Sequence, residues 1–346
     1  MQLPALFLAL VTPIVNLVPS LFLLYVIRSL DPVEREPWKT TGLAFVAGTL
    51  SVVPVFIVGG LIAPVIHVLL ASPELIDFWE TVIEAPLLEE LSKFLLLALL
   101  VFFFGKDFDS LVDFVVYACA VAIGFEFVEN TLYQWSMLLE SDFQLYWIHM
   151  FNERTIGTAG FHLLFSAWNG FAIWLIAAYK NSKFAAFALP AMLLAIFLHG
   201  VNNLGAYLSS VGPQEIVMPI NSLGGTIYNV GQCLSLSLFI GLIGAAVMFD
   251  IAALGKFSLA VANSGKISED SQKKHALEEV SDPFHHYISR SFFVALFASN
   301  RFKDPKDSLR LRRFAKNALK FSRLSDEGVE ARRLQEVLDN GISLLN

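Results

Sequence analysis

Long apolar runs separated by short polar stretches organise the chain. A helix rising 1.5 Å per residue needs about 20 apolar residues to cross a hydrocarbon core about 30 Å thick. Runs of roughly that length or longer cover residues 3–27, 42–70, 86–104, 111–133, 158–179, 184–208 and 228–254. The pattern predicts an all-α fold, a polytopic membrane helix bundle of about seven transmembrane helices with a C-terminal cytosolic helical tail. The second run contains Pro54, Gly59, Gly60 and Pro64, which predicts a kink or a break. The first has no basic segment before it and no small-residue cleavage site after it, so it is expected to be a retained span rather than a signal peptide. Beyond residue 254 the pattern changes. Residues 255–282 read as a polar linker, and 283–300 as an apolar helix too short to span, with Phe292, Phe293 and Phe297 between Arg290 and Arg301. Arg310 to Arg323 reads as a basic amphipathic helix. Two domains are expected, a transmembrane body over 1–254 and a basic tail over 255–346.

Composition supports the membrane reading: of 346 residues, 55% are hydrophobic and only 16% charged, against about 25% charged in a soluble domain. The net charge of −7 conceals an asymmetry, because residues 1–254 carry 8 Lys/Arg against 19 Asp/Glu while 255–346 carry 16 against 12. The basic tail suits anionic lipid or a cytosolic protein, and no nucleic-acid partner is expected. Cys119 and Cys233 lie inside apolar runs, so no disulfide framework is expected. Basic residues in loops set orientation. Of 24 Lys/Arg, 22 fall in the loops after runs 1, 3 and 5 and in the tail, leaving Lys93 within a span and Arg154 alone on the other side. The expected topology is a multi-pass protein of the cell membrane, with its N-terminus outside and its C-terminus cytoplasmic.

Against that apolar background a small set of polar residues stands out. An ionisable group at the bilayer centre costs roughly 2.5–3.5 kcal/mol on insertion scales, so such groups pair with one another or line a wet cavity. Glu89, Glu90 and Lys93 lie in the third run, Glu126, Glu129 and Asn130 in the fourth, His162 in the fifth, and His199 and Asn203 in the sixth. At 1.5 Å per residue all four sets fall about 6–13 Å from the outer end of their run. Convergence around one polar cavity in the outer half of the bilayer is therefore expected. Adjacent Glu89 and Glu90 point about 100° apart on a helix, so one can aim at a reaction centre while the other orients its neighbours. Glu89–Lys93 and Glu90–Lys93 are helical neighbours. Glu126 and Asn130 share a face, suited to ligating a metal or bracing a histidine. Ser166 and Gly170, one and two turns from His162, allow a neighbouring helix to approach closely. His199 and Asn203 face the same way and suit water or metal binding and oxyanion support. Two carboxylates, a second acidic helix and two histidines make up the inventory of metal-assisted or general-base hydrolysis. His67 is expected to be a packing residue, and Glu74, Asp77, Glu80 and Glu84 a solvated outer face. His149, Glu153 and Arg154, among Trp135, Tyr146 and Trp147, read as an interfacial segment and a candidate substrate gate.

These residues also carry a family resemblance. Glu89-Glu90-x-x-Lys93, Phe125-Glu126-x-x-Glu129-Asn130, His162 with Ser166 and Gly170, and His199-x-x-x-Asn203 resemble the motifs of the PrsW family of intramembrane proteases. Asp31 through Glu36-Pro37-Trp38 resembles that family's acidic, proline-bearing first loop, and the likeness extends over roughly 28–205. The family is related to the type II CAAX prenyl endopeptidases and the bacteriocin-processing proteins. The resemblance implies a bacterial plasma-membrane endopeptidase that cleaves a membrane protein, such as an anti-sigma factor, near its extracytoplasmic face. It makes Glu89 and Glu90 the catalytic pair, with Lys93, Glu126 and Glu129 around them, His162 and His199 as partners, and Asn203 as oxyanion donor. Zn2+ held by His162, His199 and Glu129 and a glutamate-activated water are both compatible with it. From the residues alone two other readings stand. One is a proton- or ion-coupled transporter, although the internal repeat typical of such carriers is not evident. The other is an inactive relative serving as a membrane scaffold.

Overall fold

The computed structural model describes residues 3–31, 36–70, 72–179, 183–210 and 218–262, together with 317, 320, 321, 335–340 and 343 of the tail. The expected helices over 283–300 and most of 310–323 lie outside the described residues. The described chain is helical throughout and contains no strand. Ten α-helices follow in order: α1 Leu3–Arg28, α2 Trp38–Leu50, α3 Val52–Leu69, α4 Pro73–Phe78, α5 Ala85–Phe104, α6 Leu111–Met137, α7 Phe143–Met150, α8 Phe161–Ala178, α9 Ala188–Ser210 and α10 Met218–Ala262. Two π-helical turns, Trp79–Glu84 and Phe151–Gly157, lead toward α5 and α8.

Among the described residues, six helical stretches are long and apolar enough to cross a membrane. α5 is not one of these six. It is 20 residues long, but Glu89, Glu90 and Lys93 make it too polar to qualify by apolarity alone. The second run divides where the sequence suggested a break. Pro54 lacks the N–H that would bond the Leu50 carbonyl, and the chain makes a turn at Ser51 between α2 and α3.

The chain forms two compact units. The first comprises residues 1–27, 38–104 and 114–241. Within it α5 packs against α2, α3, α8 and α9, and α8 against α9. α6 is its most enclosed element, with Val115, Val116, Cys119, Ala120 and Ala122 fully buried. A helix apolar on every side has no exposed face to lose, and over residues 111–126 α6 is buried on every side. The second unit comprises residues 28–37, 105–113 and 242–346. In it Phe257 of α10 packs against Phe321 of the tail, their rings 5.3 Å apart.

Small residues set the helix spacing in the first unit. A Cβ at Gly48 would fall 1.9 Å from the Val121 carbonyl oxygen, and one at Gly124 2.0 Å from that of Phe45. α2 and α6 therefore touch backbone to backbone. Gly170 of α8 meets the Phe114 carbonyl of α6 in the same way, at 2.4 Å. Polar side chains provide further ties. Asn16 of α1 donates to Thr131 and Gln134 of α6 at 3.0 and 3.3 Å, and its carbonyl accepts from Thr155 at 2.7 Å. In lipid such groups have no water to fall back on, so bonds between helices replace it.

Gly124→Ala forces the α2 backbone away from α6 and should cost about 1–3 kcal/mol, as overpacking of a filled core does. Gly60→Ala, with open space around it, should leave the thermal midpoint of the detergent-solubilised protein unchanged or slightly raised. Equal midpoints for the two variants would show that the crossing is not tight.

Candidate peptidase site

Four helices bring their polar residues to one place in the first unit. The geometry begins with Glu90, which is fully buried (0% exposed) on α5. Its Oε1 accepts from Lys93 Nζ at 2.8 Å and lies 3.1 Å from His199 Nδ1. Its Oε2 accepts from Ser166 Oγ at 2.7 Å and Asn169 Nδ2 at 2.9 Å. An ionised carboxylate offers about four acceptor positions, and here all are used by groups from α5, α8 and α9. Glu90 is the fully hydrogen-bonded member of the adjacent pair.

Glu89 is the other kind. Its Oε2 is buried without a hydrogen-bond partner, and its side chain lines a cavity of about 920 Å³. Around that atom stand Lys93 Nζ at 3.5 Å, His199 Nε2 at 3.8 Å and His162 Nδ1 at 3.9 Å. Glu89, His162 and His199 each present one ligand atom, all within 4.8 Å of one another. The two imidazoles meet edge to face with centroids 4.9 Å apart, and Phe165 stacks on His199 at 5.1 Å.

Hydrogen bonds fix the tautomer of each imidazole. Glu90 is the acceptor beside His199 Nδ1, so that nitrogen carries the proton and Nε2 presents its lone pair toward Glu89. His162 Nε2 lies 2.8 Å from Glu129 Oε2 and donates to it, while its Nδ1 accepts from Lys93 at 3.0 Å. Both histidines thus have a carboxylate behind them, as metal-binding histidines do; the His199 Nε2 lone pair is turned toward Glu89, and that of His162 Nδ1 is held by Lys93. Lys93, 1% exposed, also lies 4.1 Å from the centre of the Phe125 ring.

Glu129 faces two ways. Its Oε2 accepts from His162 and from Arg154 Nη2 at 2.8 Å, and Arg154 Nε also donates to Asn130 Oδ1 at 3.3 Å. It therefore stands behind His162, while Glu89 completes the group of three with the histidines. Glu126 accepts from the N–H of Gly160 at 2.8 Å. Gly160 adopts φ +81°, a left-handed conformation suited to glycine, immediately before α8 and His162. Asn203 donates to the Thr81 carbonyl at 3.0 Å, joining α9 to the first π-turn. Glu89, Glu126, Glu129, His162, His199 and Asn203 all line the cavity, as do Thr81 and Arg154 of the two π-turns. Glu90 and Lys93 sit behind it. Single π-helical turns inside helices recur at functional sites.

Four residues take places that their sequence did not assign. Asn169 lies seven residues after His162 on the same face, a spacing that could have revealed it. Arg154 was the lone basic residue on its side of the loop-charge pattern, and that exception was its signal. His67 proves to be paired rather than packed, with Nε2 2.9 Å from Glu80 Oε1. Glu84, expected in solvent, is buried and accepts from Trp79 Nε1 at 2.9 Å.

A profile of the PrsW family of intramembrane metalloproteases matches residues 36–228, more than half of the chain. The chain belongs to the PrsW family. Protease PrsW of Oceanobacillus iheyensis is 27% identical over 190 residues, which cover 54% of this chain and 79% of that protein. No solved structure matches the chain. The protein is an intramembrane protease with a multi-pass membrane body, and its family is one of metalloproteases. The donor set fits a metal by its chemistry: two imidazole nitrogens grouped with one buried carboxylate oxygen that has no hydrogen-bond partner.

Glu90 and Glu89 should differ sharply on truncation. Glu90→Ala leaves buried Lys93, His199 and Asn169 without their acceptor and should cost about 3–5 kcal/mol, as breaking a buried ion pair does. Glu89→Ala removes a group with no hydrogen-bond partner on Oε2 and should change the thermal midpoint far less. Reversal of that order in thermal unfolding would overturn the division of roles.

Proposed function

We propose that the protein is a metal-dependent endopeptidase that hydrolyses a peptide bond of a membrane-anchored protein close to the extracytoplasmic face. The observation that carries this reading is the unsatisfied Glu89 Oε2 beside His199 Nε2 and His162 Nδ1, whose hydrogen bond from Lys93 a metal would replace. His162 and His199 would hold the ion, with Zn2+ favoured by the imidazole donors and Glu89 beside them as the group that acts on the water. Such an ion polarises the scissile carbonyl and acidifies the attacking water.

The chain's own groups supply the rest. Glu89, at the cavity wall, takes the proton of the attacking water and returns it to the leaving amine. Glu90 and Glu129 hold the two imidazoles in the tautomers that present their lone pairs forward. Arg154 holds Glu129, and Lys93 balances the carboxylate charge behind the cavity. The Asn203 amide has two N–H donors, one spent on Thr81 and the other available to the developing oxyanion. The loop-charge asymmetry supports an outward-facing cavity, an external N-terminus and a cytosolic tail. The family resemblance supports an anti-sigma factor as the kind of substrate, in a bacterial plasma membrane.

The test uses the full chain reconstituted in liposomes with a single-span substrate carrying a labelled extracytoplasmic segment. Glu89→Gln should lower cleavage roughly a hundred- to ten-thousand-fold, the span of general-base contributions, with little change in thermal midpoint. His162→Ala and His199→Ala should abolish cleavage and reduce the bound metal found by elemental analysis. Chelation should stop the wild type, and zinc should restore it. Undiminished cleavage by Glu89→Gln and His199→Ala would refute the assignment.

A further inference from the structure

The second unit gathers a group of carboxylates that the peptidase site does not use. Asp31 and Glu36 come from the segment between α1 and α2, Asp113 from the first turn of α6, and Asp250 from α10. All four are buried, Asp250 to 1% exposure. One carboxylate oxygen from each of Asp31, Glu36 and Asp113 lies within 4.8 Å of the other two. Asp250 lies within electrostatic reach of Asp31, Asp109 and Asp113. Its Oδ1 is buried and has no hydrogen-bond partner.

Local structure holds these groups in place. Ser110 and Asp113 form a capping box at the start of α6. Asp113 Oδ2 accepts from the N–H groups of Asp109 and Ser110 at 2.8 and 2.7 Å, and Oδ1 accepts from Ser110 Oγ at 3.0 Å. Those bonds aim the carboxylate and leave it acceptor capacity. The Glu36 carbonyl accepts from the buried Arg28 Nε, which anchors that residue's backbone.

The donor chemistry selects the cation. All four side chains offer oxygen only, with neither imidazole nor thiolate, which suits Mg2+, Mn2+ or Ca2+ rather than zinc. Oxygen ligands about 2.0–2.6 Å from one ion lie at most about 4–5 Å apart, and the spread of the Asp31, Glu36 and Asp113 oxygens fits that limit. We propose that Asp31, Glu36, Asp113 and Asp250 form a binding site for one hard divalent cation. The ion would join three segments far apart in sequence, the case in which closing a loop stabilises a fold most. This site and the Glu89–His162–His199 centre differ in donor atoms, so they can be told apart by metal preference and by variant.

Mn2+ is the probe. Full-length protein in detergent is stripped with chelator and titrated with Mn2+, uptake being read from the loss of the free-ion electron paramagnetic resonance signal. Wild type should take up Mn2+ and show a raised thermal midpoint, and both effects should persist in His199→Ala. Asp250→Asn and Asp31→Asn should weaken uptake about tenfold or more, the scale on which ligand-sphere changes act. In chelator, Asp250→Asn should be at least as stable as wild type, because one of the crowded charges is gone. Wild type that takes up no Mn2+ beyond what His199→Ala loses would overturn the proposal, and would indicate a cluster neutralised by a cationic side chain instead. Unchanged uptake in both Asp variants would overturn it equally. Should either variant fail to fold, the Mn2+ response of the midpoint in His199→Ala decides: a rise supports the site and no rise removes it.

Discussion

The buried pairing of Glu90 with Lys93 is the constraint on which the site depends. Both side chains are essentially without solvent exposure, within a helix read as membrane-spanning. A lone charge there would be expelled or neutralised, so the carboxylate must collect donors, and it collects them from three helices. Ser166 and Asn169 reach it from α8, and His199 lies against it from α9. Satisfying one group thus sets the approach of α5, α8 and α9. Close packing elsewhere serves the same geometry, with glycines at 48, 124 and 170 removing the side chains that would hold α2, α6 and α8 apart.

That arrangement separates support from chemistry. Glu90 spends its lone pairs on structure, and its neighbour Glu89 is left with an unsatisfied oxygen at a cavity wall. The same separation recurs with the second acidic helix, where Glu129 stands behind His162 and Glu126 holds the N–H that precedes α8. Each of the two imidazoles has a carboxylate behind it that sets its direction. Preorganisation of this kind lets a site act without rearranging dipoles during reaction.

The two π-helical turns bring further residues to the cavity. One presents Thr81 to Asn203, and the other presents Arg154 to Glu129. A wider turn shifts the direction of the side chains that follow, which is how residues from connecting segments meet residues from the spans. The acidic group of the second unit uses different means, a capping box and a short acidic segment, and it contains oxygen donors alone.

What the sequence determined by itself was the helical membrane body and the inventory of its site, because both follow from local cost. Apolar runs of span length have one low-energy solution in lipid, and Glu, Lys, His and Asn placed inside them must find one another. The 100° between Glu89 and Glu90 also meant that the two side chains would meet different surroundings. Which of the two does so was decided by the positions of Ser166, Asn169 and His199, and these are tertiary. So were the grouping of Glu89, rather than Glu129, with the two histidines, the pairing of Arg154, and the burial of Glu84. Each depends on how helices distant in sequence rotate against each other, and periodicity along one helix carries no record of its neighbour's rotation.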